Sequence, residues 1–218
     1  LSELFPCQEQ QLYCIPFFGN GIFAAGFGLA DIENNIPATA DTPYNIASLS
    51  KPFASAVLTK LVEAGQLDLD TAIADILENT LFTYDDLKMQ GYADACQKIK
   101  AFSSDPDFEY AFLLKDYRCD RGKITVWHHL THTAQGVPGS RYRYNGFLFG
   151  FLSLVAEEAS EKSYSELVVE NITAPLEMKR TVPCPHEDRC DRILADRAKY
   201  YRVGFGGDFE PSSYPTKL

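Results

Sequence analysis

Ser48 and Lys51 stand three residues apart in the run Tyr44-Asn45-Ile46-Ala47-Ser48-Leu49-Ser50-Lys51-Pro52-Phe53. On a helix, positions i and i+3 share a face, so these two side chains can meet. Pro52 marks where that helix starts, because proline is tolerated in the first turn, where its missing N–H has no intrahelical partner. Ser48 then belongs at the helix N-terminus, among free amides and positive dipole charge. A serine hydroxyl becomes a nucleophile when a base takes its proton, and a partly desolvated lysine of lowered pKa can be that base. The same residues also fit a serine cap followed by a solvated first-turn lysine. The surrounding chain has to decide between the two.

From Lys51 the pattern is helical. Phe53, Val57, Leu61 and Ala64 fall at steps of four or three, and Gly65 ends the run. That apolar face would seat the helix in a core and hold Ser48 rigidly. Upstream, Ile15, Phe17 and Phe18 precede Gly19-Asn20-Gly21, and an apolar run follows, which predicts a β-hairpin over residues 15–29. Glu33-Asn34-Asn35 reads as a second turn and Pro37 to Pro43 as an irregular approach to the helix. Downstream, Ala72, Ile73, Ile76 and Leu77 make a short helical run. Thr125 is placed to cap a short helix carrying Val126, His129 and Leu130. Gln135 to Gly139 is a loop, and Phe147, Phe151, Leu154 and Val155 line one face of a further helix. Another helix runs from about Tyr164 to Ile172, before Pro175. Gly204-Phe205-Gly206-Gly207 reads as a turn or strand. Residues 78–121 show no clear period and read as a surface helical subdomain or an insertion.

A chain of 218 residues with 45% hydrophobic content can bury a core, as one domain or two small ones. A net charge of −10 and a pI near 4.8 argue against nucleic acid or an anionic membrane surface as partner. No apolar run approaches the ~20 residues that span a bilayer. No basic-then-apolar leader opens the chain, so any export signal has been removed or was never there. Six cysteines invite local pairs, Cys7 with Cys14, Cys96 with Cys119 and Cys184 with Cys190. Connectivity cannot be read from spacing, but the even count leans toward an exported, periplasmic or secreted protein. Cys184-Pro185-His186 and Cys190 lack the repeated C-x-x-C spacing of a structural zinc site. His128, His129 and His132 read as structural, since adjacent histidines point to different helix faces and no H-E-x-x-H is present. No glycine-rich phosphate loop occurs, so a nucleotide cofactor has no support.

Taken together, these segments resemble the serine β-lactamase and penicillin-binding-protein superfamily, in its class C-like branch. The likeness runs from Gly26-Phe27-Gly28-Leu29-Ala30-Asp31 through Thr42 and Ile46-Ala47-Ser48-Leu49-Ser50-Lys51-Pro52-Phe53 to Leu61-Val62-Glu63-Ala64-Gly65-Gln66-Leu67-Asp68-Leu69-Asp70. Leu130-Thr131-His132-Thr133 is similar to the stretch these proteins carry before their second motif. Pro138-Gly139-Ser140-Arg141-Tyr142-Arg143-Tyr144-Asn145-Gly146 resembles their P-G-x-x-F-x-Y-x-N segment. The resemblance implies Ser48 as nucleophile, Lys51 as proton acceptor, and Tyr144, in preference to Tyr142, as catalytic tyrosine. It implies a mixed α/β (α+β) fold, an antiparallel sheet flanked by helices plus a mostly helical subdomain. As one domain, about 1–65 and 176–218 form its α/β part and about 66–175 its mainly helical part.

Two departures stand out. Gly146 replaces the asparagine of Y-x-N, which tilts away from efficient β-lactamase activity. The chain reaches Leu218 without a K-T-G or H-x-G strand, so the expectation is the N-terminal part of a domain. A missing C-terminal segment or second chain would complete the site. The implied activity is a serine hydrolase that forms an acyl-enzyme on a small-molecule or peptide substrate: an ester, a D-amino-acid peptide or amide, or a β-lactam. It needs neither a metal nor an organic cofactor. A non-catalytic binding or sensor protein that retained the fold is the competing reading.

Overall fold

The structure, a computed structural model, describes residues 17–18, 21–22, 24–84, 87–108, 110–120, 122–183, 196–204 and 207–212. Cys7, Cys14, Ile15, Cys184, Cys190, Phe205, Gly206 and the residues after Ser212 lie outside them. The fold is mixed α/β, with small antiparallel ladders and helices. This agrees with the antiparallel sheet and helices that the resemblance implies. The described strands form four two-stranded antiparallel ladders. The chain divides into two compact units, Leu1–Ile46 with Arg180–Thr216, and Ala47–Lys179 with Lys217–Leu218.

In the first unit, β1 (Phe17–Phe18) pairs with β2 (Gly21–Ile22), Phe17 opposite Ile22. This is the hairpin foreseen at Gly19-Asn20-Gly21, but it is shorter, because residues 24–27 follow as irregular chain. β3 (Leu29–Asp31) pairs with β4 (Ile36–Pro37) across the turn that holds Glu33, Asn34 and Asn35. Asp31 braces that turn: its carboxylate accepts from the Asn34 amide at 3.0 Å and from the Asn34 side chain at 2.7 Å. Lys199 lies 2.8 Å from the same carboxylate and, with Asn34, holds it well below the usual carboxylate range. Gly26 permits a close backbone approach, since a Cβ there would fall 2.3 Å from Ala38. β7 (Tyr200–Val203) and β8 (Phe209–Ser212) form the last ladder, on either side of Gly204 and Gly207.

The second unit is mostly helical. A 3₁₀ turn (Ala47–Ser50) runs directly into α1 (Lys51–Glu63), with Pro52 in its first turn as expected. α1 ends where glycine was foreseen to end it. Gly65, at φ +71, donates to Val62 O at 2.9 Å while Gln66 donates to Leu61 O at 2.9 Å, a Schellman closure. Ala54, Val57, Leu58 and Leu61 bury one face of α1, whereas Ala64 is exposed. After α2 (Ile73–Ile76) the chain makes a hairpin of β5 (Leu81–Tyr84) and β6 (Leu87–Gln90), then α3 (Gly91–Ser103) and α4 (Ala111–Leu114). This stretch is no surface appendage. Met89, Tyr92, Ala95, Cys96, Ile99, Leu114 and Tyr117 belong to the same core as α1. A disulfide joins Cys96 to Cys119.

α5 (Val126–Leu130) is capped by Thr125 in a reciprocal capping box with His128. α6 (Gly146–Ser160) starts at Asn145, whose side chain accepts from the Leu148 amide. α7 (Tyr164–Val168) opens with a Ser163–Glu166 capping box and continues as a widened turn over Val169–Thr173. Through the centre runs a buried polar chain. His129 Nδ1 lies 2.7 Å from Leu148 O, its Nε2 lies 3.2 Å from the Tyr117 hydroxyl, and that hydroxyl lies 2.5 Å from the hydroxyl of Tyr92. A carbonyl only accepts, so Nδ1 carries the proton and Nε2 accepts from Tyr117, which accepts from Tyr92 in turn.

Candidate active site

Ala47 sits at φ +45, a left-handed conformation that costs a non-glycine residue about 1 kcal/mol. The chain turns there, so Ser48 faces outward on the 3₁₀ turn that leads into α1. Ser48 therefore lies in the first turn of a continuous helical run. Neither it nor Ser50 acts as an ordinary side-chain cap: Ser50 precedes α1 in a helical conformation and makes no capping hydrogen bond. Lys51, one turn on, donates from Nζ to Ser48 Oγ at 3.0 Å. The i, i+3 spacing brings the two together as the sequence suggests.

Tyr144 comes to the same oxygen from a segment ninety-six residues away, its hydroxyl donating to Ser48 Oγ at 2.5 Å. Lys51 Nζ also lies over two rings, 4.9 Å from the centroid of Tyr144 and 5.5 Å from that of Phe149. Such contacts hold a cation over the negative faces of aromatic rings. The structure thus unites Ser48, Lys51 and Tyr144, and leaves Tyr142 on the outer side of His132, at 5.8 Å ring to ring.

Burial alone would raise the Tyr144 phenol. Its hydrogen bonds with Lys51 and Ser48, and the Lys51 charge, outweigh that and hold it below the ordinary value of 10.0. The site therefore moves this hydroxyl toward the form that can accept a proton. The residue is 46% exposed, and its ring contacts are with His132 and Lys51. His132 covers one face at 4.7 Å, and itself stacks on Phe149 at 5.1 Å. Burial, with Lys51 adding to it, lowers the His132 pKa, and its Nδ1 accepts from the Asn145 amide at 3.1 Å. His132 is thus a neutral ring that both stacks on the tyrosine and anchors the next residue of its chain.

Three of the four histidines have separate places. His128 closes the α5 cap, His129 lies in the core at 1% exposure, and His132 backs the tyrosine. Sequence reasoning missed Phe149 and the hydrogen bonding of Asn145. An aromatic residue inside a helical stripe looks like any other core residue, so Phe149 carried no separate signal.

A serine oxygen shared by a lysine and a tyrosine stands at the head of a core helix, in a chain of the β-lactamase-related, penicillin-binding-protein-like hydrolase family. The Beta-lactamase family model matches residues 19–195, and the chain belongs to that family. It is 27% identical over 186 residues to the D-alanyl-D-alanine-carboxypeptidase/endopeptidase AmpH of Escherichia coli (strain K12), covering 81% of this chain and 46% of that protein. It is 26% identical over 161 residues to Protein flp of Staphylococcus aureus (strain MW2), covering 72% of this chain and 31% of that protein. The octameric penicillin-binding protein homologue from Pyrococcus abyssi shares the fold, with a TM-score of 0.60 at 24% identity over 91% of this chain and 45% of that one. The chain spans less than half the length of these relatives. No helix among the described residues is long and apolar enough to cross a membrane.

Proposed function

We propose that Ser48, Lys51 and Tyr144 are the catalytic residues of a serine hydrolase that works through an acyl-enzyme. The observation that carries this reading is the double hydrogen bond on Ser48 Oγ, from Lys51 Nζ at 3.0 Å and Tyr144 Oη at 2.5 Å. When Tyr144 has given up its proton, the Ser48 O–H donates to the phenolate beside Lys51. As Oγ attacks a carbonyl, the serine proton passes to this Lys51–Tyr144 pair and a C–O bond forms to give a tetrahedral oxyanion. The Ser48 amide, at the head of a helical run where the first N–H groups have no intrahelical acceptor, supplies one oxyanion donor. The second is assigned, by resemblance, to a third-motif strand of the kind the resembling proteins carry. Tyr144 then hands the proton to the leaving group, which departs with the C–O or C–N bond electrons. In the second half it takes a proton from the water that hydrolyses the ester.

The substrate class is an ester, a D-amino-acid peptide or amide, or a β-lactam, each offering a carbonyl with a leaving group. AmpH, a carboxypeptidase and endopeptidase by name, supports the peptide member of this set. The Cys96–Cys119 disulfide supports an oxidising, exported setting.

The test is covalent labelling of the full-length protein with a fluorophosphonate and with a β-lactam, read by mass spectrometry. A single adduct on Ser48 is expected, absent in Ser48→Ala, and formed roughly a hundredfold more slowly in Tyr144→Phe. An unlabelled Ser48 with both reagents would overturn the reading in favour of a binding or sensor protein that kept the fold.

A further inference from the structure

Tyr144 is 46% exposed: the His132 stack and the Lys51 contact hold part of its ring, and the backbone that carries it must be fixed as well. The backbone on either side of it is irregular, with no strand partner among the described residues. Two of its amides go to His132: Arg143 N donates to the His132 carbonyl at 2.7 Å, and Asn145 N to the ring at 3.1 Å. The side chains of the same two residues reach the other way, to the segment Phe112–Asp116. Arg143 donates to Phe112 O at 2.9 Å, to Lys115 O at 3.3 Å and to the Asp116 carboxylate at 3.2 Å. Asn145, 2% exposed, donates to Leu113 O at 2.5 Å and to the Gln135 side chain at 3.1 Å. Gln135 in turn donates to Leu113 O at 2.9 Å and to Lys115 O at 2.6 Å.

From this geometry we infer that the Phe112–Asp116 segment is a platform of carbonyls that positions Tyr144 through its two neighbours, with Arg143 as the positioning residue at its open edge. The platform is itself anchored. Tyr117 follows it into the core against His129, and Cys119 is bonded to Cys96 of α3. Arg143 suits the task because a planar fork can hold two carbonyls and a carboxylate together, where an ammonium is a point donor. Asn145 does the same from the buried side, and its carbonyl-facing amide leaves its oxygen free to start α6. The Phe112–Asp116 segment of stretch 78–121 thereby acquires a role in the site.

The inference rests on Tyr144 being the catalytic tyrosine, and its test separates the two. Tyrosine carrying ¹³C at Cζ is incorporated into the full chain, with the Tyr144 signal assigned by its absence in Tyr144→Phe. In wild type the signal titrates below the ordinary phenol range. In Arg143→Met it is expected to move back toward that range, as the hydroxyl drifts from Lys51 and Ser48. Fluorophosphonate labelling of Ser48 should slow roughly tenfold to a hundredfold, the loss that follows misplacement of a reacting group by about 1 Å. Arg143→Lys, which keeps the charge and stem, should fall between the two and serves alone if the methionine variant does not fold. An unmoved Tyr144 titration and an unchanged labelling rate in a folded variant would overturn the inference, even if its melting temperature falls. If wild-type Ser48 never labels, the hydrolase reading fails while the titration still judges the platform.

Discussion

Gly146 opens α6 next to Asn145, and a Cβ placed there would stand 3.7 Å from Lys51 Nζ, an ordinary contact distance. Its backbone is not in the left-handed region, so a side chain fits without strain. Gly146→Asn should therefore fold normally and bring a carboxamide to Lys51. Acylation of Ser48 by a β-lactam, relative to its labelling by fluorophosphonate, is expected to rise about tenfold, the worth of one hydrogen bond to a charged group. Competition labelling measures the ratio, and an unchanged or lower ratio would show that Gly146 does not limit β-lactam handling. Ser48 and Lys51 were legible because three-residue spacing on a helix is a local rule. Tyr144 was legible only through resemblance of its flanking Pro138-Gly139, since ninety-six residues separate it from Ser48. Arg143 and Asn145 gave no signal because their acceptors are largely backbone carbonyls, which every residue possesses.

α3 shows why residues 78–121 were illegible. Its buried positions Tyr92, Ala95, Cys96 and Ile99 do follow helical spacing. Alanine, cysteine and tyrosine carry little hydropathy contrast against the intervening charges, so the period is present but faint. The helices with leucine, valine and phenylalanine stripes, α1 and α6, were plain by comparison. The disulfide secures what weak patterning leaves marginal. Its cysteines lie 23 residues apart, so the Cys96→Ser, Cys119→Ser double variant should lose about 3 kcal/mol of stability. Urea unfolding under non-reducing conditions checks this, and a loss under about 1 kcal/mol would mean the bond contributes little to holding α3.

The pairing into four short ladders was beyond sequence patterning, because strand pairing joins residues that no local period connects. Part of the molecule's acid sensitivity, by contrast, follows from one residue, with His128 and His132, whose pKa values burial also lowers, adding in the same direction. Burial of His129 holds its pKa at about 4, against 6.5 for an open histidine. Between those values the unfolded chain binds more protons than the folded one, so stability falls as pH drops from about 6.5 to about 4. The loss from this group is about 3 kcal/mol, to be measured by denaturant unfolding at pH 7 and pH 4. His129→Gln should remove most of that dependence, and an equally steep slope in the variant would assign it elsewhere. The polar chain from Tyr92 through Tyr117 to His129 and Leu148 O draws on α3, the turn after α4, α5 and α6. Because the carbonyl fixes its direction, none of its three protons can be handed on without reversing the whole series. In deuterated water those protons should therefore exchange together, at the rate at which the helices part, and so serve as an internal clock for the opening of the helical unit.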